Sequence, residues 1–165
     1  MARIIVSLIV LVLLTTSAAG QRAFDPNQLR KVDTIRLIIR DNVIDGCLPR
    51  PSEIIAKAES KLRRAGIKVV ETSDGSPHIL QIGITGGLIK GGVSADGCAG
   101  SFVLFLSRFE ILRDATSGSV QSSVMWGVLV APKNNFQQQI QRSIEKYVTQ
   151  LAGEIVKSKN LRSVE

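Results

Sequence analysis

The sequence predicts an α+β domain. It is a two-layer sandwich in which a mostly antiparallel sheet of four to five strands is covered by two amphipathic helices. Three observations predict it. Several stretches are apolar at every second position, the period of a half-buried strand. Two longer stretches are apolar at three- and four-residue spacing, the mark of a helix with one buried face. These segments run in the order strand, helix, two short strands, long hairpin, long helix, which stacks most simply as one sheet backed by two helices. The chain has 165 residues, 44% of them hydrophobic. That is one domain with enough material to bury a core unaided by metals.

Residues 1–20 read as a secretory signal peptide. Arg3 supplies a positive charge, 4–14 is apolar apart from Ser7, and 15–20 is Thr, Ser, Ala and Gly throughout. This is the charged, apolar and small-residue order of an export leader, with cleavage placed after Ala19 or Gly20. The apolar run is shorter than the roughly 20 residues that span a bilayer, so no stable membrane span is expected after cleavage. The expected location is periplasmic or secreted. Loss of Arg3 takes the formal charge from +7 to +6.

The mature chain begins with a lead, 21–31, that carries no period. Between 32 and 40, Ile35, Leu37 and Ile39 alternate with Thr34, Arg36 and Arg40, predicting a strand. A turn-rich connection, 41–51, contains Cys47 and the Pro49-Arg50-Pro51 corner. Ser52 is predicted to cap the first helix, with Glu53 in its first turn. Ile54, Ile55, Ala58, Leu62 and Ala65 share one face of this helix. Gly66 should end it in the left-handed conformation, with Ile67 folding back on Leu62.

Two short strands follow, at 67–71 and 78–85, separated by a turn at Asp74-Gly75. The stretch 86–100 holds six glycines and reads as a flexible connection. Residues 101–112 are apolar on both alternations, which predicts a central strand covered on both sides. A turn at 114–118 leads to a returning strand at 120–130, with Val120, Val124, Trp126, Val128 and Val130 in step. A helix at 135–157 carries the stripe Phe136, Ile140, Ile144, Tyr147, Val148, Leu151 and Ile155. The domain is placed at 32–158, with a polar tail at 159–165.

Cys47 and Cys98 are the two cysteines, and each follows an Asp-Gly pair. In an oxidising compartment they are expected to form one structural disulfide. One histidine, His78, and no C-x-x-C pair give no metal site, and no cofactor motif is present. A Ser-His-Asp hydrolase would need His78 as its base, yet no G-x-S-x-G elbow occurs. The glycine-rich stretch lacks the G-x-x-x-x-G-K-[ST] spacing of a phosphate loop. Catalytic residues are therefore not assigned.

Basic residues are scattered, apart from Arg63-Arg64 near Lys57, Lys61 and Lys68. Nucleic-acid binding is disfavoured by the leader and by the lack of aromatics among the basic residues. In layer order alone the chain resembles small exported α+β domains of envelope-assembly and transport-accessory proteins. The reading is thus an exported, non-enzymatic binding or accessory protein of the bacterial cell envelope. Its expected partner is an envelope protein or an anionic envelope component. The contact surface is placed at Gly86, Gly87, Leu88, Ile89 and Lys90, together with Lys57, Lys61 and Arg64. Two other readings stand beside it. One is a small hydrolase or inhibitor, working on envelope polymer through Asp41, Asp45 or His78 or blocking a secreted enzyme. The other is a carrier of an apolar ligand held between sheet and helices.

Overall fold

The structure is a computed structural model that describes residues 26–71, 78–89, 97–111 and 117–161. The leader, the Asp74-Gly75 turn, Lys90 and most of the 114–118 turn lie outside the described residues. Among the described residues eight elements follow one another: α1 (Pro26–Leu29), β1 (Thr34–Val43), α2 (Pro51–Arg64), β2 (Lys68–Val70), β3 (His78–Ile89), β4 (Gly97–Ile111), β5 (Ser117–Pro132) and α3 (Lys133–Asn160). The five strands form one sheet in the order β2-β1-β3-β4-β5. β1 pairs in parallel with β2 and β3, whereas the longer β3–β4 and β4–β5 ladders are antiparallel. The fold is an α+β sandwich on a mixed sheet.

One face of the sheet carries the core. The registers Leu37↔Leu80↔Leu106, Ile39↔Ile82↔Leu104↔Met125 and Asp41↔Ile84↔Phe102 align these positions across the strands. Leu80, Ile82, Ile84, Leu104 and Leu106 are all buried beneath Ile54, Ala58 and Leu62 of α2 and Phe136, Ile140, Ile144 and Val148 of α3. Both helices start at the end of the sheet where β1 finishes and run the same way, so they lie parallel. Arg63 ties α2 to β2: it bonds Glu59 and donates through Nη2 to the Val69 carbonyl at 3.0 Å.

The start of α2 differs from the expectation at Ser52. Pro51 occupies the first helical turn, where its missing N–H costs nothing, and Arg50 is the capping residue, with no side-chain cap bond. Gln137 of α3 braces the Arg50 backbone instead. Its Oε1 accepts from the Arg50 N–H at 3.0 Å, and its Nε2 donates to the Arg50 carbonyl at 3.3 Å and to Glu53 Oε2 at 3.1 Å. The other end is as predicted. Gly66 has φ +77°, Ile67 N–H donates to the Leu62 carbonyl at 3.1 Å and Gly66 N–H to that of Arg63 at 3.0 Å. This is the paired-bond stop that satisfies carbonyls at a helix end.

Three further expectations need correction. The short helix α1, with Leu29 buried, falls within the lead that shows no period. The glycine-rich stretch is not one loop, because β3 continues through Gly86, Gly87 and Leu88 to Ile89, and β4 begins at Gly97. Gly86 and Gly100 are direct partners, and a β-carbon on Gly86 would stand 2.6 Å from the Ala99 carbonyl oxygen. The glycines there allow close approach of two strands, not flexibility. Finally, β4 is interior to the sheet but covered on one face only, among the described residues.

Val103 and Phe105 lie on the other face, half-buried beside their β5 partners Trp126 and Val124. In β5 the in-step set Trp126, Val128 and Val130 points to this open face, with exposures of 54%, 68% and 65%. Met125 and Ala131 are the buried positions. β5 inverts the usual alternation because its outward face is as apolar as its inward one.

Candidate binding groove

The predicted contact residues fall at two ends of the molecule. Gly86, Gly87, Leu88 and Ile89 are at the end where both helices start. The Ile44 N–H donates to the Gly86 carbonyl at 3.0 Å, and the Leu88 N–H donates to Asp45 Oδ2 at 3.3 Å. Ile44 and Ile89 are exposed there. The same end holds the Cys47–Cys98 disulfide, with Cα atoms 6.0 Å apart and both residues fully buried. It joins the β1–α2 connection to the start of β4.

Lys57, Lys61 and Arg64 follow the i, i+4, i+7 spacing and share one face of α2. Lys57 is exposed midway along the helix. Lys61 and Arg64 are at the far end, where they meet α3. Between the final turns of the two helices lies an open groove of about 680 Å³. Ala65, Ala152, Gly153 and Val156 form its apolar floor, and Lys61, Arg64 and Lys157 stand at its rim. The groove exists because the residues facing each other there are small, so the helix surfaces do not fill the space between them. Leu161, 59% exposed, also lines it. The Lys61 ammonium is 4.0 Å from the Glu145 carboxylate; among the described residues it is the one of these three cations with an ion-pair partner.

Of the residues lining this groove, the sequence singles out Lys61 and Arg64 on α2 and none on α3. The signal in α3 was Ala152-Gly153 interrupting a helix otherwise rich in large side chains, followed by Lys157 one turn later.

The histidine sits elsewhere. His78 opens β3 on the core face and is 4% exposed. Burial holds its pKa below the ordinary histidine value, and the Arg108 charge lowers it further, while Asp33 acts in the opposite sense. Asp33 is itself held below the usual carboxylate range by the Lys159 ammonium, which donates to Oδ1 at 2.7 Å. Asp41 pairs with Ile84, six residues along β1 from the Ile35 partner of His78. At ~3.3 Å per residue that is ~20 Å away. The Asp41, Asp45 and His78 set is therefore not assembled into one site. Among the described residues, no group of three His, Cys, Asp or Glu side chains could hold a metal ion.

No protein-family model matches the chain. No curated protein matches it at a significant level. Solved structures do. A PelC dodecamer from Paraburkholderia phytofirmans aligns with a TM-score of 0.47 and 15% identity, covering 81% of this chain and 95% of that one. A minor lipoprotein from Acinetobacter baumannii aligns at 0.38 and 11%, covering 78% and 92%. Rare lipoprotein B from Shewanella oneidensis aligns at 0.28 and 12%, covering 78% and 96%.

The chemistry of the groove rests on its own residues. An apolar floor beside cationic groups suits a ligand with a hydrocarbon part and an anionic head. The basic residues also serve the fold, since positive charge in a last turn offsets the negative end of a helix dipole. No helix among the described residues is long and apolar enough to cross a membrane.

Proposed function

We propose that this is an exported, non-enzymatic accessory protein of the bacterial cell envelope that acts by binding. Its ligand is an anionic amphiphile of the lipid headgroup type, taken up between the last turns of α2 and α3. The observation that carries this reading is the groove itself, in which Lys61, Arg64 and Lys157 surround Ala65, Ala152, Gly153 and Val156. A flat solvated helix face would offer charge alone. Here the charges stand at the edge of an apolar depression, where a partly buried head group meets a lower effective dielectric than at an open surface. The buried Cys47–Cys98 disulfide and the leader sequence support an extracytoplasmic setting.

The test is flotation with vesicles of phosphatidylglycerol mixed into phosphatidylcholine, against phosphatidylcholine alone. The protein should float with the anionic vesicles only, and the Arg64→Glu, Lys157→Glu double variant should stay at the bottom while circular dichroism shows it folded, with a melting temperature lowered modestly by the loss of two last-turn cations. Equal flotation of that variant would remove the groove from the function.

A further inference from the structure

The sheet face turned away from α2 and α3 is not the polar surface that a one-sided antiparallel sheet usually shows to water. Along β5 it carries Trp126, Val128 and Val130, all more than half exposed. Along β1, three strands away, it carries Arg40 and Asn42, in the rows Arg40↔Gly83↔Val103↔Trp126 and Asn42↔Thr85↔Ser101↔Val128. Between these two walls the outward residues of β3 and β4 are short, and Gly87 and Ala99 continue them beside Val130. The face is thus a shallow trough, ~14 Å across at three strand spacings. The larger Gln81 and Phe105, paired with each other, stop one end of it. Its charge has one sign. Among the described residues, Arg36, Arg40 and Lys68 are the charged strand residues of this face, and none of them has an ion-pair partner. Asp45 lies past the end of β1, where its carboxylate accepts from the Leu88 N–H.

We propose that this face docks an acidic amphipathic helix of a partner protein. The helix lays aliphatic side chains against Trp126, Val128 and Val130 and turns a row of carboxylates towards Arg36 and Arg40. Width selects a helix: with its side chains it is 10–12 Å across, whereas an extended chain needs only the ~4.8 Å of one strand spacing. Charge selects its acidic flank. Arg36 and Arg40 stand ~13 Å apart along β1, within side-chain reach of carboxylates two helical turns apart, ~11 Å. A second copy of this chain fits poorly, because two such faces would bring six cations together with no strand carboxylate to meet them. A sugar polymer fits poorly too. The wall has one aromatic ring among valines, and the floor hydroxyls of Thr85 and Ser101 bond each other at 2.9 Å. The helix would add a third layer on the far side of the sheet from the α2–α3 groove, so groove and trough can be filled at once.

Trp126 is the one tryptophan of the chain, so its emission reports on this face directly. The experiment titrates the mature protein with a capped synthetic helix of about 18 residues, ~27 Å long. The peptide has leucine along one face, glutamate along one flank and no aromatic residue. Emission should shift to the blue and saturate. The same peptide with lysine for glutamate should leave it unmoved. Arg40→Glu should weaken the glutamate peptide by ~10-fold or more and admit the lysine peptide. Circular dichroism should show that variant folded, since Arg40 is exposed. The Arg64→Glu, Lys157→Glu protein should bind the glutamate peptide like wild type, which separates this face from the lipid groove. No shift at millimolar glutamate peptide overturns the proposal, as does an equal shift with lysine peptide or indifference to Arg40→Glu. A blue shift on raising the protein concentration alone, with the mass of two chains in sedimentation equilibrium, would give the face to a second copy and overturn it as well.

Discussion

The ring of Phe136 occupies the space into which a side chain at Gly100 would grow: a β-carbon there would lie 2.7 Å from Phe136 Cζ. It would also lie 2.6 Å from the Thr85 carbonyl oxygen. Phe136 is fully buried, so the first turn of α3 is seated directly on the glycine pair of β3 and β4.

Gly100→Ala should therefore destabilise the protein by ~3 kcal/mol or more, at the upper end of overpacking effects. Adding Phe136→Leu should not restore it, because the backbone clash with Thr85 persists. Urea denaturation of the single and double variants checks both statements.

Breaking the disulfide should cost roughly 4 kcal/mol, the loop-closure value for its 51-residue separation. The Cys47→Ala, Cys98→Ala protein should show a lower urea midpoint and a steeper slope, since the unlinked unfolded chain exposes more surface. Wild type in a strong reductant should move towards it. An unchanged midpoint would mean that the reduced, unfolded chain is already restricted.

Asp45 has φ 60°, a conformation that Asp tolerates better than Ala does, and its carboxylate accepts from the Leu88 N–H. Asp45→Ala should lose about 2 kcal/mol, from backbone strain together with the lost bond. Asp45→Asn retains an acceptor and the tolerance, so it should lose much less. Thermal melts of the pair separate the two outcomes.

His78 binds a proton less readily when folded than when unfolded. Below the unfolded value of about 6.5 the unfolded chain then holds more protons, so stability falls as pH drops through 6.5 and levels off below the folded value. Melting temperature should decline between pH 7 and 5 in wild type. His78→Gln should flatten that part of the profile; a variant with the same slope would assign it to other groups.

How much of this was legible beforehand depended on whether periodicity reported burial. It did so in α2, where Gly66 and Ile67 stop the helix as their chemistry requires, and in α3, whose stripe is the buried face. In β5 the pattern was as clear but named the open face, because Trp126, Val128 and Val130 are apolar without being in the core. In the sequence the glycines at 86 and 100 signify freedom, since one sequence cannot show that the two face each other across strands. The groove was half visible. Lys61 and Arg64 lie on a recognisable helix face, whereas Ala152 and Gly153 signify only once α3 is laid beside α2.

The disulfide fastens the approach to α2 onto β4, the Gln137 contacts to Arg50 fasten α3 to the start of α2, and nothing covalent fastens the two helices where they end. Thermal opening should therefore start at the far end, like a hinge loosening away from its pin. Amide exchange in the last turns of α2 and α3 should outpace exchange in their first turns. A bulky ligand entering between Arg64 and Lys157 would then meet the more compliant end of the molecule.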